Sequence, residues 1–177
     1  MTDPAGHERE GFEGFDRLWT PHRMAYIVPS VSTGGTGDDG CPFCAMAALP
    51  LEDSLVVHRG ETCFAVLNLH PYNPGHLMVL PHRHVAELED LTGAEASELM
   101  ATTQQAVRVL RRVSGPHAFN VGINLGGVAG GSLSQHLHQH VVPRWSGDAN
   151  FITVLGGTKT LPQLLADTRT LLAEAWS

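Results

Sequence analysis

Short apolar runs bounded by turn residues recur through the first half of the chain. They extend from Leu55 to Arg59, from Cys63 to Leu69 and from His76 to Leu80, and one helical turn at 45–48 precedes them. Runs of this length that are rich in branched and aromatic residues are typical of β-strands. The pattern therefore predicts three strands that pair as an antiparallel meander.

The spacing of apolar residues becomes helical in the second half. The positions that recur on one helix face are Leu99, Val107, Leu110 and Val113. Thr92 can cap this helix with Glu95 at the reciprocal position, and Gly115-Pro116 ends it. A second helix is predicted from Leu161 to Trp176. Its apolar stripe is Leu164, Leu165, Thr168, Leu171 and Leu172.

Two further strands are predicted between these helices, from Ala118 to Leu125 and from His136 to Val142. Strands followed by a helix, then strands followed by a helix, indicate an α+β domain with a mostly antiparallel sheet and helices packed to one side. Residues 1–15 lack any periodic pattern, which predicts a flexible tail, and residues 30–40 are typical of a loop. Residues 16–177 are therefore expected to form a single domain that ends in a helix.

Composition limits the partners that this chain can have. The formal net charge of the 177 residues is −7, whereas nucleic acids and anionic membranes require a basic face. No apolar run reaches 18 residues, and the polar N-terminus does not resemble a secretory signal. We therefore expect a cytoplasmic protein without a nucleic-acid or membrane partner.

The segment with the most evident chemistry lies in the last predicted strand. His136, His138 and His140 alternate there with Leu137, Gln139 and Val141. In a strand, the three imidazoles share one face of the sheet. A single histidine is usually an ordinary core or surface residue, but three at a period of two predict a functional cluster.

These motifs resemble those of the histidine triad (HIT) family. The segments that carry the resemblance are His136-Leu137-His138-Gln139-His140-Val141-Val142, Asn73-Pro74-Gly75-His76-Leu77-Met78-Val79-Leu80-Pro81 and Asn120-Val121-Gly122-Ile123-Asn124 with the following glycines. The likeness extends over about residues 17–155 and implies a HIT-like fold that is commonly dimeric. Gln139 is a departure, because that position is usually apolar. Motifs near residues 17–21, 130–133 and 147–151 are most similar to the bacterial phosphorylases of diadenosine tetraphosphate.

The resemblance implies a role for each matching residue. His138 matches the histidine that attacks the α-phosphate and becomes nucleotidylated, and neutral imidazole is chemically suited to that attack. His140 and His76 match positions beside the catalytic centre, whereas Asn68 matches a ribose-contacting position. Asn124 is a candidate partner for a phosphate or leaving group, although an Asn that caps a turn is an equally good interpretation. Trp145 is a candidate contact for a base or ribose, although core packing is more common for such a residue.

The glycine-rich segment before the histidines is a candidate phosphate site. Glycines allow main-chain N–H groups to approach an anion, and Gly131 and Ser132 lie directly before the triad. Hydrolases of the family usually carry Gln at the position of Ser132. Because serine is smaller than Gln, we expect room at this position for inorganic phosphate as the acceptor.

Two cysteines at Cys41 and Cys44 have a spacing that favours metal binding or redox chemistry in a reducing compartment. In metal-bearing members of the family, histidines that match His84 and His136 complete the ligand set. The resemblance therefore implies a structural zinc site, since a fully ligated zinc leaves no position for substrate. The alternative is a metal-free pair of thiols.

The sequence thus predicts an enzyme that acts on adenine nucleotides and dinucleoside polyphosphates with inorganic phosphate as acceptor. Its products from diadenosine tetraphosphate would be ADP and ATP. The alternatives within the enzyme class are an asymmetric hydrolase and a purine nucleoside phosphoramidase. An alternative outside that class is a zinc-stabilised nucleotide-binding module with little catalysis.

Overall fold

The computed structural model describes residues 40–51, 53–130, 133–148, 155 and 163–176. The predicted tail at 1–15 and the predicted loop up to residue 39 lie outside these ranges. So do Gly131 and Ser132, the two candidate phosphate-binding residues of the glycine-rich segment. The fold and the site below are built from the remaining residues.

Five strands form one antiparallel sheet, as the sequence predicts for an α+β domain. They are β1 (Val56–Arg59), β2 (Cys63–Leu67), β3 (Leu77–Pro81), β4 (Ala118–Ile123) and β5 (Gln139–Arg144). Their order in the sheet is β1-β2-β3-β5-β4, and every neighbouring pair is antiparallel. The last strand therefore lies inside the sheet beside β3, so residues that are far apart in sequence meet at these two strands.

Within the described residues, three α-helices cover the two faces of this sheet unequally. They are α1 (Pro42–Ala48), α2 (Gly93–Ser114) and α3 (Leu165–Glu174). The long helices α2 and α3 pack on one face, where α2 contacts β2, β3 and β5 and α3 contacts β1. Helix α1, predicted only as one turn, packs its Phe43 against the opposite face. None of the described helices has the length and apolar character that a membrane span requires.

The alternation of β2 shows how the sheet builds two separate cores. Cys63, Ala65 and Leu67 join the cluster beneath α2 and α3, whereas Phe64 and Val66 join the cluster around Phe43 of α1. Successive side chains of a strand point to opposite faces, and all five are buried because both faces are covered. The sheet is therefore held rigidly between two layers.

Helix α2 begins at the cap that the sequence predicts. The Thr92 hydroxyl accepts from the Glu95 N–H at 3.2 Å, and the Glu95 carboxylate accepts from the Thr92 N–H at 2.8 Å. Such a cap stabilises a helix by about 1 kcal/mol. Gly115 ends the helix with φ of 55°, a left-handed conformation that glycine adopts without steric cost.

Strand β5 begins at Gln139, so the prediction that it starts at His136 is wrong. The Leu137 N–H donates to the Val85 carbonyl oxygen at 2.6 Å, which pairs this segment with the connection after β3. The three histidines therefore lie where the chain enters the sheet. Only His140 belongs to the regular strand.

Helix α3 is shorter than predicted and begins at Leu165, while residues 161 and 162 lie outside the described ranges. Within α3 only Thr168 and Leu172 are buried. Leu164 and Leu171, which the periodicity assigned to the buried stripe, are 73% and 41% exposed. The helix packs at the edge of the sheet beside β1, so a narrow stripe is enough to hold it.

Candidate active site and metal centre

The turn before β3 sets the position of His76. Gly75 has φ of +73°, and a Cβ on it would lie 2.9 Å from a methyl carbon of Leu110. The chain can therefore approach α2 here only with glycine. The next residue, His76, is fully buried and enters the sheet beside β5.

His138 has its ring orientation fixed by the main chain. Its Nδ1 lies 2.8 Å from the carbonyl oxygen of His136. A carbonyl oxygen only accepts, so Nδ1 of His138 carries the proton and donates. In the neutral ring, Nε2 then keeps its lone pair. This is the tautomer that a nucleophilic imidazole requires.

A second set of hydrogen bonds fixes the neighbouring histidine in the opposite tautomer. The Tyr72 N–H donates to Nδ1 of His76 at 3.1 Å, so the proton of neutral His76 lies on Nε2. That Nε2 is 2.9 Å from Nδ1 of His140 and donates to it. Neutral His140 therefore carries its own proton on Nε2. It can donate a hydrogen bond to an anion without being charged.

Burial keeps both members of this pair neutral. The pKa of His76 is lowered from 6.5 to about 3 by burial and then by the neighbouring His140 and His138. The pKa of His140 is lowered to about 4 by burial and then by His138. Charging either ring inside a low-dielectric site is unfavourable. His76 and His140 therefore keep the tautomers assigned to them at neutral pH.

Aromatic rings pack around the three histidines. The rings of His138 and His140 are perpendicular, with centroids 4.9 Å apart. Phe43 lies 5.3 Å from the His138 ring, and Tyr72 lies 4.7 Å from the His76 ring. Phe43 is buried, whereas Tyr72 is 48% exposed. The cluster is thus closed by apolar packing at Phe43 and borders solvent at Tyr72.

Cys41, Cys44, His84 and His136 converge beside this cluster. One ligand atom from each lies within 4.8 Å of those from the other three. Nδ1 of His136 is 3.4 Å from Sγ of Cys41 and 3.5 Å from Sγ of Cys44. Nδ1 of His84 is 3.3 Å from Sγ of Cys44. The four residues that the sequence singled out as metal ligands are therefore brought together.

This arrangement fits a tetrahedral zinc ion. Zn–S and Zn–N bonds of about 2.3 and 2.0 Å at a tetrahedral angle put sulfur and nitrogen about 3.5 Å apart. The observed separations of 3.3 to 3.5 Å match that edge length. Nε2 of His136 donates to the Pro81 carbonyl oxygen at 3.0 Å, which leaves Nδ1 as the ligating atom. The donor set could therefore hold one zinc.

A charged network holds the loop before His76 against β5. The Asp148 carboxylate accepts from Nδ2 of Asn73 and from Nε of Arg144, both at 2.7 Å. Arg144 first, and then Asn73, holds the pKa of Asp148 well below its usual range. Asn73 is fully buried and also donates to the Pro143 carbonyl oxygen. Arg144 is thus paired with Asp148, which makes it a weaker candidate for neutralising phosphate.

The remaining candidate residues lie at different distances from the histidines. Asn124 directly follows the end of β4, the strand in which Gly122 pairs with His140. The main-chain N–H of Asn68 donates to the His76 carbonyl oxygen at 2.9 Å. Trp145 lies beyond the other end of β5, roughly 23 Å along the strand from His138. Its indole N–H donates to the Ser114 carbonyl oxygen, so the structure does not bring it to the cluster.

Phe43 and Tyr72 belong to the site, although the sequence analysis assigned them no role. Phe43 stands between the two cysteines, and Tyr72 stands shortly before His76. An aromatic residue inside a metal-binding pair was the available signal for Phe43. For Tyr72 the contact depends on the fold of the turn, which the sequence pattern does not specify.

Comparison with known proteins shows what this architecture is similar to. The sequence model of the HIT domain matches residues 51–147. An AP-4-A phosphorylase of Mycobacterium tuberculosis (strain H37Rv) is 58% identical over 164 residues, which cover 91% of this chain and 84% of that protein. An asymmetrical bis(5'-nucleosyl)-tetraphosphatase of Schizosaccharomyces pombe is 37% identical over 95 residues, which cover 54% and 52% of the two chains.

A solved structure supports the similarity to histidine triad proteins. The zinc-bound histidine triad family protein from Mycobacterium smegmatis superposes with a TM-score of 0.64 at 27% identity. The match covers 79% of this chain and 95% of that one. The sheet and the helices described above are therefore those of a known fold.

Proposed function

The chain belongs to the HIT domain family, and on that premise we propose that it transfers nucleotidyl groups from dinucleoside polyphosphates through a covalent histidine. The substrate we propose is diadenosine tetraphosphate, with inorganic phosphate as the acceptor. The observation that carries the proposal is the hydrogen bond from Nδ1 of His138 to the His136 carbonyl oxygen, because it leaves Nε2 of His138 as a nucleophile. The 58% identity to an AP-4-A phosphorylase supports the choice of substrate and acceptor.

The proposed reaction has two displacement steps at one phosphorus atom. In the first step, Nε2 of His138 forms a bond to the α-phosphorus, and the bond from that phosphorus to the bridging oxygen breaks, so that ATP leaves. In the second step, an oxygen of inorganic phosphate attacks the same phosphorus and the bond to Nε2 breaks. The adenylyl group leaves on phosphate as ADP, and His138 returns to its neutral form.

His140, oriented by His76, is proposed to stabilise the negative charge that develops on the phosphate oxygens in both steps. The outward N–H on Nε2 of His140 can donate to a non-bridging phosphate oxygen, and His76 holds it in that tautomer. A neutral donor suits both steps, because it need not exchange protons between them. Asn68, Asn124, Gly131 and Ser132 are proposed to contact the nucleotide and its phosphates. Trp145 was a candidate contact because it follows the triad in sequence, and its separation of roughly 23 Å from His138 along the strand argues against that role.

The four-residue cluster of Cys41, Cys44, His84 and His136 is proposed to hold a structural zinc ion. The sulfur–nitrogen separations and the hydrogen bond from Nε2 of His136 support this proposal. With four protein ligands, zinc supplies a rigid brace and no open coordination position. The chemistry is therefore left to His138 and its neighbours.

Hydrolysis is the second candidate, and the 37% identity to an asymmetrical tetraphosphatase favours keeping it. In that reaction water replaces phosphate in the second step, and the products are AMP and ATP. The role of His138 is the same in both reactions. The acceptor alone distinguishes them.

A homodimer in the cytoplasm is the proposed state of the protein. Among the described strands, β4 has a neighbour on one side only, and Val121 on it is 48% exposed. An unpaired edge of this kind is a template for pairing with another chain. A second copy of the same strand is the partner we propose.

Product analysis tests the proposed acceptor. Purified protein is incubated with diadenosine tetraphosphate, with and without inorganic phosphate, and the nucleotides are separated by chromatography. ADP and ATP that form only with phosphate support phosphorolysis. AMP and ATP in both reactions would assign the hydrolase activity instead, and absence of turnover would favour a nucleotide-binding module.

A further inference from the structure

Phe43 lies between the candidate metal site and the candidate nucleophile. Its ring centroid is 5.6 Å from that of His136, in an edge-on arrangement, and 5.3 Å from that of His138. Cys41 and Cys44 flank it in sequence, and both approach Nδ1 of His136. One side chain therefore contacts a metal-ligating ring and the attacking ring at once.

The surroundings of Phe43 fix its position from several directions. Phe43 is 4% exposed and packs in the core cluster on the α1 face of the sheet. The buried residues of that cluster are Phe43, Val56, Phe64, Val66, Met78 and Leu80. In sequence it lies between Cys41 and Cys44, which both belong to the candidate metal cluster. The ring can therefore serve as a fixed surface for a neighbour.

The His138 ring needs such a surface to attack in line. Its hydrogen bond to the His136 carbonyl oxygen fixes Nδ1, but one hydrogen bond does not prevent the ring from tilting about that contact. His140 meets the ring edge-on at 4.9 Å, and Phe43 packs against it at 5.3 Å. A misplacement of about 1 Å can slow an enzyme by about a hundredfold, so small tilts of Nε2 matter.

We infer that Phe43 is a positioning residue for His138. It holds the imidazole plane so that Nε2 points at the α-phosphorus, and it transmits the geometry of the cysteine pair to the nucleophile. This inference rests on the proposed function, because it assumes that His138 attacks. It concerns a residue for which neither the fold nor the metal ligation requires a contact with the nucleophile.

The test compares two Phe→Leu variants of the full-length protein. Phe43→Leu removes the ring beside His138. Phe64→Leu is the matched control, because Phe64 is fully buried in the same cluster but stacks on His82 at 5.2 Å. Four quantities are measured for each protein. They are kcat and KM for diadenosine tetraphosphate with phosphate, zinc content, and the tautomer of His138 from ¹⁵N–¹H spectra of histidine-labelled protein.

A positioning role predicts a specific difference between the variants. In Phe43→Leu, kcat should fall by about tenfold or more while KM changes less than about twofold. Tilting of the ring should lengthen the hydrogen bond to the His136 carbonyl oxygen, so the single proton of neutral His138 should exchange between Nδ1 and Nε2. Zinc content should stay equal to that of the wild type. Phe64→Leu should keep the single Nδ1–H tautomer and should retain a kcat within about twofold of the wild-type value.

Other results would overturn the inference. Equal effects of the two variants on kcat and on the tautomer would make Phe43 a core residue only. A rise in KM alone would make it a substrate contact. If Phe43→Leu does not fold, Phe43→Met is measured in its place, because methionine has a similar volume but no ring.

The spectra separate this inference from the function on which it rests. If wild-type protein shows no turnover, the proposed function fails, while the tautomer comparison still reports whether Phe43 orients the ring. If wild-type protein turns over and the two variants behave alike, the function stands and the inference about Phe43 fails.

Discussion

The carbonyl oxygen of His136 lies 2.8 Å from Nδ1 of His138, and the side chain of the same His136 reaches the cysteine pair. One residue therefore belongs to the candidate metal cluster through its imidazole and to the candidate catalytic cluster through its main chain. The segment around it has left the regular strand ladder, which frees that carbonyl oxygen to accept from a side chain. Stability of the metal site and orientation of the nucleophile are thus expected to change together.

Removal of one thiolate tests the metal site. Cys41→Ser should abolish stoichiometric zinc in the purified protein and lower the free energy of unfolding. The expected loss is about 4 kcal/mol when free zinc is a thousandfold above its Kd, because metal binds the folded state preferentially. Metal analysis and urea denaturation in matched buffers measure the two quantities.

The control for this substitution is Cys63→Ala. Cys63 is buried beneath α2 and lies outside the four-residue cluster, so its loss should leave zinc content at one ion per chain. Wild-type protein that purifies without zinc and is as stable as after zinc addition would contradict the proposed site.

Acid should destabilise the fold through the buried histidine pair. The pKa of His140 is about 4 in the fold and 6.5 in the unfolded chain. Between these values the unfolded chain binds more protons, so the free energy of unfolding falls as pH falls. The slope is about 1.4 kcal/mol per pH unit for one histidine. His76, whose pKa is lowered to about 3, acts in the same direction.

The measurement is a series of urea denaturations between pH 7.5 and pH 5, values chosen to lie on both sides of the unfolded pKa. His140→Gln removes one titrating ring and should show a shallower decline of stability over this range than wild-type protein. Both proteins keep the four metal-cluster residues, so acid release of metal affects them alike. If the free energy of unfolding declines equally with pH in the two proteins, His140 is already charged in the folded state near pH 5.

The acceptor is expected to depend on Ser132. Hydrolases of the family usually carry Gln at this position, and the smaller side chain of serine is proposed to admit phosphate as the acceptor. Ser132→Gln should therefore shift the products from ADP and ATP towards AMP and ATP at a fixed phosphate concentration. Chromatography of the nucleotides gives the ratio directly, and an unchanged ratio would remove Ser132 from the acceptor site.

The edge of the sheet is expected to form the dimer. Val121→Lys places a charge on β4, and charged side chains on edge strands oppose pairing with another chain. The variant should elute as a monomer, with its mass measured by light scattering. Val128→Lys is the control, because Val128 is fully exposed and lies outside β4, in the short 3-10 helix Gly127–Ala129. Two variants with the same oligomeric state would exclude this interface.

Local patterns were the part of this fold that could be predicted from the sequence. The Thr92–Glu95 cap and the two long helices follow from residues close together in the chain, and the structure confirms them. The start of β5 was predicted wrongly, because Leu137 pairs with Val85, a partner that lies 52 residues away. A two-residue period shows which side chains share a face of the sheet. It does not show at which residue the strand begins to pair with its neighbours in the sheet.

The site shows the same division between local and long-range information. The histidine spacing and the cysteine spacing identified residues that do converge. The contact of Phe43 with His136 and His138 spans more than 90 residues, so the position of Phe43 inside the cysteine pair could place it near the site but could not predict this contact. Trp145 follows the triad closely in sequence, yet the extended strand carries it to the opposite end. Proximity along a strand was a poor guide to proximity at the site.

The covalent role of His138 can be measured directly. Protein is mixed with diadenosine tetraphosphate without phosphate, quenched, digested and analysed by mass spectrometry. One adenylyl group is expected on the peptide that carries His138, and it should be released as ADP when phosphate is added before the quench. His138→Ala should show neither adduct nor turnover, whereas His70→Ala, at an exposed histidine, should match wild-type protein. Turnover by His138→Ala, or an adenylyl group on another residue, would show that His138 is not the nucleophile.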